Sequence, residues 1–238
     1  MKYLDLAFDD PAHNLACDEA LLQLVESGQV KDEILRVWEP AQYFVVLGHA
    51  NSIHAEVNFS ACQEDRVTVL RRMSGGGTVL QGPGCFNYSL FLNATHRFRT
   101  VKEGFRYVLE RHKKIVQALT GREVALEGIS DLAIGARKFS GNAQYRKSRA
   151  VLIHGTFLLD FDLSLIGRYL QLPSKQPAYR QDRSHVEFLM ELPVLSAELC
   201  ERLQESWNAR SALDKIPTDR IEVLVRERYG RKEWSEKF

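Results

Sequence analysis

Three stretches of this chain carry residues whose types and spacing could do chemistry on an anion. The first is Arg71-Arg72-Met73-Ser74-Gly75-Gly76-Gly77-Thr78. Three successive glycines bare the backbone, so its N–H groups can close on an anion and the chain can take positive φ. The two arginines can add charge-assisted donors to a phosphate or carboxylate. The run has neither the Gly-Lys-Ser/Thr ending of a P-loop nor the spacing of a dinucleotide fingerprint. A plain glycine-rich hairpin is its alternative reading. The second stretch is SDLAIGARKFSGNAQ, with Asp131 and Lys138. Lys138, among apolar and small residues, could offer its ammonium to a phosphate or carboxylate, or lie on a solvated strand. Asp131 could accept from a ligand, help to hold a metal, or pair with Arg137. The third is LIHGTFLL, in which His154 alternates with Leu152, Thr156 and Leu158. A hydrogen-bonded core histidine is the plainer reading there, and Gly155 marks a close approach to the backbone.

Other reactive types are less promising. Cys17, Cys62, Cys85 and Cys200 show no CxxC pair or metal spacing, which reads as free thiols in a reducing cytoplasm. Cys85 lies near the triple glycine, but it opens an apolar strand with no cation to lower its pKa, so it reads as buried and inert. His13, His49, His54, His96, His112 and His185 form no HExxH or similar pattern.

The elements that must position these residues are legible as alternations of period. A helix capped by Asn14 is expected to run through LACDEALLQLVESG. ILRVWEP and YFVVLGH read as paired strands, VTVLRR as a strand leading into the glycines, and CFNYSLFLN as a strand with Phe86, Tyr88, Leu90 and Leu92 on one face. Thr100 and Glu103 form a capping box for a helix whose buried stripe is Val101, Phe105, Val108, Ile115 and Leu119, ended by Gly121. DLAIGARKFSGNAQY and RAVLIHGTFLLDF read as strands joined by the basic turn 146–149. Short helices are expected in LSLIGRYL and from about Ser196 and Thr218. Runs of strands with helices between and after them predict an α+β fold. The 238 residues, 45% hydrophobic, suffice for one domain over 1–238. With 32 Lys+Arg against 31 Asp+Glu, the net charge of +1 argues against a general nucleic-acid binder. The acidic start MKYLDLAFDDPAHN and the lack of a run of roughly 20 apolar residues predict a cytoplasmic protein without a membrane span.

In this order the pieces resemble the lipoate–protein ligases, within the wider biotin/lipoate ligase and octanoyltransferase superfamily. The carrying residues are ACDEALL (16–22), VWEP (37–40), RRMSGGGTV (71–79), CFNYS (85–89), SDLAIGARKFSGNAQ (130–144), HGTFLLDFDL (154–163) and the terminal RYGRKEWSEKF. The resemblance implies an α+β fold built on a mixed, largely antiparallel β-sheet with packed helices. It also implies that lipoate or octanoate reacts with ATP to give an acyl-adenylate, and that the acyl group then passes to a lysine of a lipoyl domain. It implies Lys138 as the catalytic cation and Arg72, Ser74, Gly75, Gly76, Gly77 and Thr78 as a loop over carboxylate and phosphate. Asp131 becomes the acid near the adenylate and the candidate Mg2+ contact. Ser140, Gly141, Ala143, His154, Gly155 and Thr156 would line the pocket. Arg180 and Arg183, in the polar segment 171–185, would help to hold the nucleotide, and the apolar faces of CFNYSLF and LIHGTFLL would house the acyl tail.

Two departures stand out. Gln81 replaces the histidine common after the triple glycine, and the following QGPGCF is shortened. The chain also stops without the family's accessory domain of roughly a hundred residues, which implies a separate small accessory protein. The rival readings are an ATP-independent octanoyltransferase or lipoyl amidotransferase, which needs a cysteine thioester, a biotin ligase, whose Gly-Arg-Gly signature is missing, and a non-catalytic lipoyl-binding homologue.

Overall fold

Two long runs, Cys85–Asn93 and Ala150–Leu158, are largely buried on both faces, as strands between layers must be. They pair antiparallel over nine residues and form the centre of a computed structural model that describes residues 1–94 and 97–238. His96 lies outside the described residues. The strands are β1 (Lys2–Asp5), β2 (Ile34–Trp38), β3 (Phe44–Leu47), β4 (Thr68–Arg71), β5 (Val79–Gln81), β6 (Cys85–Asn93), β7 (Ala125–Glu127), β8 (Asp131–Ile134), β9 (Arg137–Arg146), β10 (Ala150–Leu158) and β11 (Ser211–Ala212). Among the described residues, eight form a mixed sheet in the order β11-β1-β2-β6-β10-β9-β8-β7, and β4-β3-β5 form a smaller one. Pairing in the large sheet is antiparallel except where β1 meets β2 and β11. The helices are α1 (Pro11–Glu26), α2 (Ile53–Glu56), α3 (Phe59–Glu64), α4 (Val101–Thr120), α5 (Ser164–Tyr169), α6 (His185–Phe188), α7 (Ser196–Trp207), α8 (Thr218–Leu224) and α9 (Lys232–Ser235). This is the expected α+β class.

The large sheet has two unlike faces. Phe86, Tyr88, Leu90 and Leu92 join Ile153, Phe157 and Phe139 beneath α4 and α7 in one core. The other face carries Phe91, Ala150 and Leu152, packed against α1 and the small sheet. The capping box of Thr100 and Glu103 is present, and Gly121 ends α4 in the left-handed conformation. Val101 is 48% exposed, however, because it sits in the first turn before the buried stripe begins.

Three expectations need correcting. Asp10, not Asn14, caps α1 by accepting from Ala12 N, and Pro11 takes the first helical position. ILRVW and FVVL are both strands but do not pair; the turn after Glu39-Pro40 sends β3 into the small sheet, parallel to β4 and antiparallel to β5. DLAIGARKFSGNAQY is two strands, since Gly135 (φ +58°) turns the chain back between β8 and β9.

Candidate active site

A one-residue irregularity decides which face Lys138 occupies. In β8 and β9, Asp131 lies opposite Gly141 and Leu132 opposite Ser140, but Ala133 lies opposite Lys138, so Phe139 is an extra residue on β9. Strict alternation would put Lys138 on the face of Ser140. The bulge moves it to the face of Asp131 and Gly141. There its ammonium sits 2.8 Å from Asp131 Oδ1. The space is made by Gly141, since a Cβ there would lie 2.7 Å from Lys138 Nζ. The same face continues across β9 and β10 through Ala143 and His154, then Gly141 and Thr156, which are cross-strand pairs. Ser140, Asn142 and Gly155 belong to the opposite face. Tyr88 Oη donates to Asn142 Oδ1 (2.7 Å), and a side chain on Gly155 would collide with Asn142.

The glycine loop reaches this face from the small sheet. Gly76 takes φ +93°, and a Cβ on it would meet Ala143 Cβ at 3.6 Å. Gly75, Gly76 and Gly77 are exposed, whereas Arg72 and Ser74 are buried. The Arg72 guanidinium points into the loop itself, donating to Ser74 Oγ (3.0 Å), Gly75 O (2.6 Å), Gly77 O (2.8 Å) and Val46 O (3.4 Å). It shapes the loop from within. Ser74 Oγ lies 2.7 Å from His154 Nε2. Because Arg72 Nε donates to that oxygen, the Ser74 hydroxyl hydrogen is directed to His154, whose imidazole accepts in its neutral form. Thr78 Oγ1 is buried with no hydrogen-bond partner among the described residues.

Several sequence candidates act elsewhere. Arg71 is fully buried, and its guanidinium donates to the backbone carbonyls of Gly48, His49, Asn51, Trp234 and Ser235. It clamps the segment around α9 to the turn after β3. Arg137 donates to Leu189 O and Val186 O. Of Arg71, Arg72, Arg137 and Lys138, only Lys138 is paired with Asp131 on this face among the described residues. Arg180 and Arg183 face Phe188, with guanidinium carbons 4.7 and 5.3 Å from its ring centre, and each donates to backbone of its own turn. The expected acyl tunnel also needs correction, since Phe86, Tyr88 and Leu90 point into the core beneath α4 and α7. On the site face the same strands present Asn87, Leu152, Thr156 and Leu158. Gln81 joins that face by donating to Thr156 Oγ1 (2.8 Å) and accepting from Asn87 Nδ2 (2.8 Å); Thr156 Oγ1 in turn donates to Asn87 Oδ1 (2.5 Å). Two surface concavities of about 930 and 680 Å3 lie away from Lys138, one lined by α1 and α8, the other by β1, β2 and α7.

Sequence reading missed two anchors and one contact. Asp18 is buried, accepting from Arg36 Nη1 (2.7 Å) and Ser89 Oγ (2.7 Å). Its neighbour Glu19 accepts from Arg228 Nη1 (2.6 Å) and Tyr229 Oη (2.7 Å). Tyr179 Oη donates to Asp131 Oδ2 (2.8 Å), so both Asp131 oxygens are engaged. Acidic residues inside a helix pattern are the available signal, but their partners lie 18 to 210 positions away.

Burial holds two histidines neutral. His154 is pushed down to about 4, chiefly by desolvation, with Arg72 adding and Asp18 opposing; His112 is pushed down to about 3 by desolvation and Arg111. Both folded values lie below 6.5, so the unfolded chain binds the extra protons. Stability is therefore complete above pH 6.5 and falls as the pH drops from 6.5 toward 4, by up to ~1.4 kcal/mol per pH unit for each histidine. Urea unfolding at pH 7.5 and 5.5 is expected to show this loss, with a shallower pH slope for His112→Gln. Equal slopes in the two proteins would refute the assignment to His112.

The model of one family, the lipoyl protein ligase A/B catalytic domain, matches residues 10–206. The chain belongs to this family. The probable lipoate-protein ligase A of Mycoplasma pneumoniae is 34% identical over 164 residues, covering 68% of this chain and 46% of that protein, so the chain spans about half its length. The octanoyltransferase LipM of Brevibacillus brevis is 25% identical over 272 aligned positions, covering 98% of both chains. Among solved structures, the bipartite lipoate protein ligase of Thermoplasma acidophilum, described with its E2 lipoyl domain, superposes with a TM-score of 0.84 at 22% identity, covering 99% of this chain and 95% of that one. A lipoate-protein ligase A bound with ATP gives 0.80 at 21% identity, covering 99% of each. These structural likenesses establish the fold of the ligase A/B catalytic domain for this chain. Among the described residues no helix is long and apolar enough to cross a membrane.

The alternative route through a cysteine thioester needs a thiol able to reach the reacting acyl group. Cys17 is buried on the core side of α1, with its pKa pushed up to about 11 by desolvation, opposed by Arg36. Cys62 is likewise pushed up to about 11, and burial holds Cys85 higher still, its Sγ facing Leu80 O at 3.8 Å. Cys200 lies against Tyr3 Oη at 3.0 Å on the α7 side. None of the four contacts Lys138 or Asp131 among the described hydrogen bonds.

Proposed function

We propose that this ligase A/B domain is an ATP-dependent lipoate–protein ligase. Lipoate or octanoate attacks the α-phosphorus of ATP to give acyl-adenylate and pyrophosphate. A lysine amine of a lipoyl domain then takes the acyl group and releases AMP. The observation that carries this reading is the Lys138 ammonium, turned by the bulge onto a face that meets an exposed glycine loop, with none of the four thiols hydrogen-bonded to Lys138 or Asp131 among the described residues. A carboxylate attacking a phosphate brings two anions together, so a cation and free backbone N–H groups are the groups the first step needs. Lys138 lies where one charge can serve both the entering carboxylate and the phosphate. The N–H groups of Gly75 to Gly77 add donors, and the orphaned Thr78 hydroxyl can donate to a ligand oxygen. Ser74 and His154 fix the loop at its base.

A magnesium ion accompanying the nucleotide would be held by phosphate oxygens and one or two carboxylates. Asp131 fits as such a single contact. Among the described residues no group of three His, Cys, Asp or Glu forms a ready-made cage. When bound, the ion would neutralise phosphate charge beside Lys138. Gln81, tied to Thr156 and Asn87, would present polar edges to the acyl chain on this face.

Isotope exchange between pyrophosphate and ATP tests the first step. Exchange that requires added lipoate or octanoate is expected. Its absence with both acids, in protein that is folded and binds ATP, would overturn the reading. The full-length likeness to LipM favours one rival, transfer from an octanoyl carrier without ATP, which requires one of the four cysteines to act as nucleophile.

A further inference from the structure

We infer that Tyr179 is a positioning residue, whose hydroxyl latches the 175–183 turn onto Asp131 and so keeps a wall over Lys138. The inference deepens the ligase reading and rests on a separate observation. The segment after α5 is tied at its start to α2, where Ser174 Oγ donates to Glu56 Oε1 (2.5 Å) and Gln171 Nε2 to His54 O and Val57 O (3.2 Å each). At its far end, Arg137 Nε holds Leu189 O (2.9 Å) and Met190 N donates to Lys138 O (2.9 Å). Between these moorings the turn bonds mainly to itself: Arg180 Nε to Arg183 O (3.0 Å), Arg183 Nε to Arg180 O (2.9 Å) and Arg183 Nη2 to Tyr179 O (2.7 Å). Among the described residues, Tyr179 Oη to Asp131 Oδ2 (2.8 Å) is the one hydrogen bond from 175–183 to the sheet.

The surroundings make this contact more than incidental. Gln181 and Asp182 both take positive φ, 53° and 56°, which costs a non-glycine residue energy that the neighbouring structure must supply. Pro177 and Tyr179 pack on the Gly128 turn that leads into β8; a Cβ on Gly128 would lie 3.6 Å from Pro177 Cβ and 3.9 Å from Tyr179 Cε1. The Tyr179 ring also lies 5.1 Å from that of Phe188, which carries both arginines. Asp131 therefore holds two groups at once, Lys138 through one oxygen and Tyr179 through the other. When a phosphate draws Lys138 away, Tyr179 remains to orient the carboxylate. The turn stays over a bond that water would otherwise cleave, acyl-adenylate plus water giving carboxylate and AMP.

The test uses the full chain and two readouts. In the ligand-free protein, hydrogen–deuterium exchange of the 175–183 amides is expected to be about tenfold faster in Tyr179→Phe than in wild type, with α4 unchanged. Asp131→Ala should loosen the same amides to a similar degree, and the double variant no further, as two ends of one bond require. Exchange at the wild-type rate in Tyr179→Phe would overturn the latch. This arm needs no turnover, so its failure is separate from failure of the ligase reading. With ATP and lipoate but no acceptor, the same variant should release several-fold more AMP per acyl-adenylate formed. A mere loss of stability would leave that ratio unchanged, and an unchanged ratio would remove the sealing role.

Discussion

Lys138→Ala is expected to cut acyl-adenylate formation by about two to three orders of magnitude while leaving the fold intact. The size follows from the loss of one preorganised donor at a site of developing charge, which costs ~2.7–4 kcal/mol of transition-state stabilisation. No other sequence-identified cation can replace it. Arg71 and Arg137 hold backbone carbonyls, and Arg72 is folded into its own loop. The fold should survive because Lys138 is only half-buried and its aliphatic stem lies over a glycine. Removing it leaves the Asp131 carboxylate with the Tyr179 hydroxyl as a partner. Single-turnover measurement of acyl-adenylate, with circular dichroism as the fold control, checks both halves. Lys138→Arg should recover little, because the guanidinium is larger and planar and Gly141 leaves room for an ammonium. Adenylate formation within a few-fold of wild type in Lys138→Ala would remove the residue from the chemistry.

The largest loss of stability is expected at the Asp18–Arg36 pair. Arg36 is completely buried and donates to Leu6 O, Asn14 O and Asn14 Oδ1 as well as Asp18. Among the described residues, only Asp18 pairs with its charge. Asp18→Ala strands a buried cation and leaves Ser89 Oγ without its acceptor, and breaking such a pair costs about 3–5 kcal/mol. That is a large share of the ~5–15 kcal/mol that holds a domain together. Urea unfolding should register the loss, and replacing both partners, Asp18→Ala with Arg36→Met, should recover most of it, because no unpaired charge remains. A single variant within about 1 kcal/mol of wild type would contradict this account of the pair. The consequence for the site is direct. Ser89 lies opposite His154 in the register of β6 and β10, so this pair fixes α1 against β2 and against β6, the strand paired with the one that carries His154.

Local signals in the sequence located elements well where the deciding atoms are close along the chain. Thr100, Glu103 and Gly121 mark α4 because a cap is made by residues within one turn of each other. The alternation in CFNYSLFLN identified a core face for the same reason. Pairing and orientation were less accessible. ILRVW and FVVL have similar compositions and are adjacent in sequence, yet lie in different sheets, because strand partners are chosen by long-range packing. Lys138 was recognisable as a candidate from its small neighbours, but the bulge that turns it toward Asp131 has no mark in a sequence whose residues fit either register. The arginines show the limit most clearly. Arg71 and Arg72 beside three glycines suggest an anion, whereas one clamps the α9 segment and the other braces its own loop. Sequence shows how many donors a side chain has. Only the fold shows which acceptors are already in reach.

The central claim is that the acyl group arrives as free acid, activated by ATP at Lys138, and never rests on a cysteine. Intact-mass measurement tests it most directly. The full chain would be mixed with a lipoyl domain and given either free lipoate with ATP and Mg2+, or an octanoylated carrier protein without ATP. The account predicts lipoyl mass on the lipoyl domain only in the first mixture, with the chain itself unacylated in both. Octanoyl transfer in the second mixture, with a hydroxylamine-labile octanoyl adduct on the chain, would contradict it.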